Sequence, residues 1–142
     1  MDRVLESLPT GTEPELAELD RADCLRLLGT AEIGRVVFSH HAMPAAHPVA
    51  YLLDGEEIVF RTGAGSILAA ATRNAVIAFQ ADRIDPATRS GWSVLAVGEA
   101  YEVTEPGRLA ALRDRLPEPW APGRTGHTLS LPAQHLTGRR IG

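Results

Sequence analysis

A mostly β fold, closed as a small barrel with short helices, is the class this sequence predicts. Three observations carry that expectation. Short runs rich in valine, isoleucine and phenylalanine recur along the chain, turn-forming residues separate them, and helical spacing appears only in brief stretches. A set of short antiparallel strands with helices at the ends most economically closes on itself, because closure removes exposed sheet edges.

The bulk numbers suit that class. The chain has 142 residues, enough for one domain that buries its own core without staples. Hydrophobic residues make up 44% and charged residues 23%, the balance of a globular protein. The formal net charge of -4 gives no pull toward nucleic acid or an anionic membrane surface, and neither is expected as a partner. No apolar run reaches the ~20 residues of a membrane helix. Cys24 is the single cysteine, so no internal disulfide forms and a reducing, cytoplasmic setting is expected. All 14 basic residues are arginine. Without lysine, Schiff-base chemistry on a lysine amine is excluded, and an anion site is expected to use arginine, hydroxyls, backbone amides or helix ends.

The elements follow in order. Residues 1–19 mix prolines, glycines and glutamates and are expected to form a flexible leader before a single domain over 20–142. Asp20 is an N-cap and Gly29 a stop for a helix over 21–28, whose apolar stripe is Cys24, Leu25, Leu27 and Leu28. Strands are expected over 33–39, 48–53 and 57–62. Asp54-Gly55 forms the turn of a hairpin between the last two. In 57–62, Ile58, Phe60 and Thr62 share one face while Glu57, Val59 and Arg61 share the other. A short helix over 66–73 and a strand over 75–81 come next, then a loop over 82–90. A long strand over 92–103 bends near Gly98. Pro106 opens a helix to about residue 116. Trp120 sits in a proline-rich stretch, able to cap a cofactor or cover an edge. A final strand over 127–131 and 135–137 is interrupted at Pro132. The total is about six strands.

The strongest chemical signal is Arg61-Thr62-Gly63-Ala64-Gly65-Ser66, between a strand and a helix. Arginine grips phosphate bidentately, glycines let backbone approach a ligand, and hydroxyls and helix-start amides donate to an anion. The same residues also suit a plain glycine-rich turn with Ser66 as an N-cap. The histidines lack zinc-site spacing, and no metal is expected. Cys24, on a leucine-rich face, reads as a buried apolar residue.

Five short motifs stand in order: Gly34-Arg35-Val36, Pro48-Val49-Ala50-Tyr51, Arg61-Thr62 with Gly65-Ser66, Gly91-Trp92-Ser93-Val94, and Gly138-Arg139-Arg140. In these the chain resembles the pyridoxamine 5'-phosphate oxidase-like FMN-binding split-barrel family, and most of all its small nitroimidazole-resistance-like subgroup. The resemblance spans residues 20–142. It implies a six-stranded antiparallel split barrel and a homodimer with flavin mononucleotide (FMN) at its interface. It further implies an FMN-dependent oxidoreductase acting on a small planar substrate. Arg61, Thr62 and Ser66 would hold the phosphate. Backbone of Pro48, Val49, Ala50 and Tyr51 would face the flavin ring, and Trp92 and Ser93 would flank it from the other side. Trp92 suits a core anchor equally well. Tyr51, Ser93 and His47 are candidates for orienting a substrate. The chain departs from the family pattern at Ile67, where a lysine often stands, and at Ala50, where asparagine is common. The same resemblance leaves open a non-catalytic protein that binds a flavin, a deazaflavin coenzyme or haem.

Overall fold

The computed structural model describes residues 16–118 and 126–142. Trp120 and residues 1–15 of the expected leader lie outside the described residues. The strands are β1 (Leu16–Leu19), β2 (Ile33–His40), β3 (Met43–Asp54), β4 (Glu57–Thr62), β5 (Val76–Asp85), β6 (Ser90–Glu99), β7 (Tyr101–Glu102), β8 (His127–Pro132) and β9 (His135–Ile141). The helices are α1 (Arg21–Leu28), α2 (Ser66–Thr72) and α3 (Pro106–Arg113). The strands run in the order β1-β9-β6-β5-β2-β3-β4-β8-β7, and every pair is antiparallel.

This is the split-barrel fold, with more strands than the six expected. The final strand is in fact two. β8 pairs with β4 and β7, whereas β9 pairs with β6 and β1. The long strand over 92–103 also divides. β6 ends at Glu99, and after Ala100 the chain joins the other sheet as β7. A Cβ on Gly98 would overlap the Pro132 carbonyl, so glycine permits the close crossing where the chain changes sheet. Leu16–Leu19, assigned to the leader from sequence, forms β1 along β9.

Two other boundaries moved. β3 begins at Met43 rather than 48, after a tight turn in which His41 and Ala42 have φ of 51° and 60°. Pro44 and Pro48 argue against a strand, but this half of β3 pairs only with β2, and proline is tolerated on an open edge. β5 continues through Asp85, and the expected loop shrinks to a turn in which Asp85 Oδ1 accepts from the Ala87 N–H at 2.9 Å.

α1 matches its expected span, with Asp20 accepting from the Asp23 N–H at 2.8 Å. Its buried Cys24, Leu27 and Leu28 join Val36, Ile58, Phe60, Phe79, Val94, Leu129 and Leu131 in the main core between the sheets. A second core (Val59, Val103, Leu112 and Leu116) lies between the outer face of β4 and α3. β4 is therefore buried on both faces, as its alternation requires.

Polar contacts fix α3 on that sheet. The Arg108 guanidinium reaches Glu57 Oε1 at 3.2 Å and Asp54 Oδ2 at 3.4 Å, and it also donates to the Tyr101 hydroxyl. Tyr101 and Ser130 donate to the same Glu57 oxygen at 2.5 and 2.6 Å. Burial pushes the Glu57 carboxyl up. The hydrogen bonds from Ser130, Tyr101 and Arg108 outweigh it and hold Glu57 below the usual carboxylate value.

A tight approach gives a test of the main core. A Cβ on Gly34 would overlap the Phe79 ring and crowd the Gln80 carbonyl at 2.9 Å. Gly34→Ala is expected to destabilise the fold by about 1–3 kcal/mol, read as a lower midpoint in a denaturant melt.

Candidate functional site

The site is built where β3 changes partner. The β3–β4 ladder runs from Asp54↔Glu57 to Tyr51↔Phe60 and ends there. One and two residues further it would set Ala50 against Arg61 and Val49 against Thr62. Instead Pro48, Val49 and Ala50 pair with β2, while Arg61 and Thr62 pair with β8. The strands fork, and the split separates Pro48–Ala50 on one limb from Arg61, Thr62 and the turn to Ser66 on the other.

Backbone direction says what faces the split. The Tyr51 N–H donates to the Glu32 carbonyl at 3.1 Å, on the β2 side. Donors and acceptors alternate along a strand. Val49 and Tyr51 therefore turn their backbone polar groups to β2. Ala50 turns its N–H and C=O to the split, and Pro48 its C=O alone.

On the other limb, Gly65 has φ of 149°, a region that favours glycine, and the space beside it is open. The cap of α2 is Gly65 rather than the expected Ser66, which is the first helical residue and whose hydroxyl is left over. Neither it nor the Thr62 hydroxyl has a hydrogen-bond partner among the described residues. The Arg61 Nη2 donates to the Arg113 carbonyl, at the end of α3, at 3.3 Å. A guanidinium has five N–H donors, so others remain for a ligand. Arg61 and Thr62, being consecutive in a strand, leave it on opposite faces.

The remaining expected residues are distributed differently. The Tyr51 side chain is buried in the core, its ring 4.7 Å from that of Phe79, and its hydroxyl donates to the Leu28 carbonyl at 2.5 Å. Burial pushes the phenol up to about 12, only partly countered by Arg83. Trp92 is 6% exposed and belongs to the main core. Ser93 lies on the opposite, outer face of β6. There Gln80 Nε2 contacts Ser93 Oγ at 3.1 Å and Asp82 Oδ2 at 2.7 Å, and Arg35 Nη1 reaches Gln80 Oε1 at 3.2 Å.

Ser93 also opens on a shallow hollow of about 240 Å³, shared with Leu95, Thr137, Gly138 and Arg139. That is below the ~300–1,000 Å³ of a typical ligand site, so this wall alone encloses no cofactor. Among the described residues, no three histidine, cysteine or acidic side chains gather as a metal site. No helix in the described residues is long and apolar enough to cross a membrane.

Sequence reading did not find the fork, the Arg35–Gln80–Asp82–Ser93 cluster, or a pair between His127 and Glu102. The fork depends on β4 pairing with β8, the cluster on β2 pairing with β5, and the pair on β7 lying beside β8; alternation within a strand does not name its neighbour.

The pyridoxamine 5'-phosphate oxidase family model matches residues 20–140 of this chain. The chain belongs to this family. An uncharacterized protein of Mycobacterium tuberculosis is 36% identical over 132 residues, covering 89% of this chain and 86% of that protein. Among solved structures, an FAD-binding protein of Mycobacterium smegmatis is 25% identical, with a TM-score of 0.67 over 89% of this chain and 98% of that one. A FAD-binding protein of Mesorhizobium loti, 17% identical, superposes with a TM-score of 0.75 over 89% of this chain and 99% of that one, a likeness of fold.

Tyr51 gives a pH test of the pin beside the split. The folded phenol stays neutral to about pH 12, against an ordinary 10.0. Its contribution to stability is therefore full below pH 10 and lost as pH rises toward 12. Tyr51→Phe should lower stability at neutral pH by about 1–3 kcal/mol, because the Leu28 carbonyl loses its buried donor. In denaturant melts it should also lose less stability than the wild type over that alkaline window.

Proposed function

We propose that this protein is a flavin-dependent oxidoreductase that binds FMN at the split between β3 and β4. The observation that carries the reading is the set of open groups at residues 61–66: the spare guanidinium donors of Arg61, the unpartnered hydroxyls of Thr62 and Ser66, and the clear space at Gly65. That set fits a phosphate monoester. Across the split, the outward N–H and C=O of Ala50 suit the donor and acceptor edge of a flavin ring. FAD carries the same 5'-phosphate position, and the similar FAD-binding protein of Mycobacterium smegmatis supports the flavin class. A bound flavin would supply the hydride or electron transfer; the chain supplies position and electrostatics.

The reading includes a homodimer. The outer face of β5 and β6 leaves Val76, Ile84 and Leu95 exposed at 66%, 48% and 39%. Both signs of charge stand on this sheet face, with Arg35 and Arg139 beside Glu18 and Asp82. A face that mixes apolar groups and both charges suits contact with a copy of itself about a two-fold axis. A second copy against it would deepen the hollow at Ser93 into an enclosed site.

Titrating cofactor-free protein with FMN, followed by flavin fluorescence, tests the cofactor. Saturable binding at micromolar concentration or tighter is expected. Arg61→Ala should weaken it by about 2–3 kcal/mol, the value of a charge-assisted pair and its unmet partner. Absence of binding by FMN and FAD alike would overturn the reading. Light scattering at micromolar protein should give the mass of a dimer, and a monomer would remove the interface from the proposal.

A further inference from the structure

His127 opens β8 directly across from Thr62 of β4, so the two side chains share one face of the sheet. Its Nδ1 lies 2.7 Å from Oε2 of Glu102 on β7, and both side chains remain partly open to solvent. A carboxylate at that distance takes the Nδ1–H, which fixes the ring and leaves Nε2 as its unused atom. α2, which follows the Gly63–Gly65 turn, packs against β7 and β8 and brings no ionisable side chain. Among β4, β7, β8 and α2, only Arg61 and His127 can carry a positive charge. Arg61 leaves β4 on the other face, where it gives one of its five donors to the Arg113 carbonyl at the end of α3. On the face of Thr62, His127 is the one side chain of these elements that can carry a positive charge.

We infer that His127, in its protonated form and held by Glu102, is a second phosphate-binding residue of the flavin site, donating through Nε2. This rests on the flavin reading above. A neutral imidazole that gives its Nδ1–H to Glu102 presents only a lone pair at Nε2, which repels a phosphate oxygen. The imidazolium donates from both nitrogens. Phosphate binding is then linked to uptake of a proton at the ring. Affinity for FMN falls as pH rises through the range in which an imidazole deprotonates. The charged neighbours are Glu102, which holds Nδ1, and Arg61 on the opposite face of β4.

Fluorescence titrations of the whole chain with FMN and with riboflavin, which lacks the phosphate, test this at about pH 6 and about pH 8. Wild-type protein should bind FMN more weakly at the higher pH and bind riboflavin alike at both. His127→Gln should lose about tenfold or more in FMN affinity at the lower pH, the worth of a charge-assisted hydrogen bond, with riboflavin affinity unchanged. His127→Lys, whose charge persists at both values, should keep FMN affinity and lose the pH dependence that the wild type has.

Three results would overturn the inference. One is FMN affinity in His127→Gln equal to wild type, which leaves the flavin site standing without this residue. Another is an equal loss of FMN and riboflavin in that variant, which marks a structural role. The last is no flavin binding by the wild type at either pH, which removes the site itself.

Discussion

The constraint on which this molecule depends is the exchange of partners along β3. One continuous strand serves two sheets, pairing with β2 up to Ala50 and with β4 from Tyr51 onward. Tyr51 holds the point of exchange by three contacts at once. Its N–H reaches Glu32, its hydroxyl reaches Leu28 on α1, and its ring packs on Phe79 of β5. The sheets can enclose a common core because the strand they share is pinned there. Beyond the pin the two limbs pair away from each other, with β2 and with β8, and the gap between them is left as an open cleft with polar backbone along its wall.

The second sheet needs a different kind of support. It is short, and β4 must be buried on both faces, which α3 accomplishes. The helix is seated by a hydrophobic patch and located by charge, since Arg108 gathers Glu57, Asp54 and Tyr101 at one point. Glu57 accepts three hydrogen bonds in a half-buried setting, where leaving one unmade is costly. The same helix ends at the carbonyl that receives Arg61. The guanidinium on the rim of the cleft is therefore aimed partly by packing some distance away, and by the partial negative charge at a helix C-terminus.

Much of this could be read from residues alone, and the failures have identifiable causes. The helix over 21–28 and the Asp54-Gly55 hairpin rest on local chemistry, a cap and a turn, and both stand as expected. The faces of β4 followed from alternation. Pro44 and Pro48 hid the first half of β3, because proline weighs against a strand until the strand is known to be an edge. The division of the last strand at Pro132 and of the long strand at Glu99 depends on which sheet each half joins, and that is long-range information. Trp92 and Ser93 came together from one family motif, and as consecutive residues of β6 they stand on opposite faces, which a motif does not display. The residues of the cleft were legible as short motifs. Their arrangement around a fork, and the pairing of His127 with Glu102, were not.

The open limb of β3 has one more consequence, for how the chain behaves in a crowded solution. An unpaired strand edge is a template on which another chain can zip. Of the positions whose backbone turns outward here (44, 46, 48 and 50), two are proline and present no N–H. An incoming strand would find carbonyls to donate to but only every second donor it requires. The edge thus stays reachable for a small molecule that needs one or two hydrogen bonds while refusing a polypeptide that needs a continuous row, which guards the cleft against the aggregation its openness would otherwise invite.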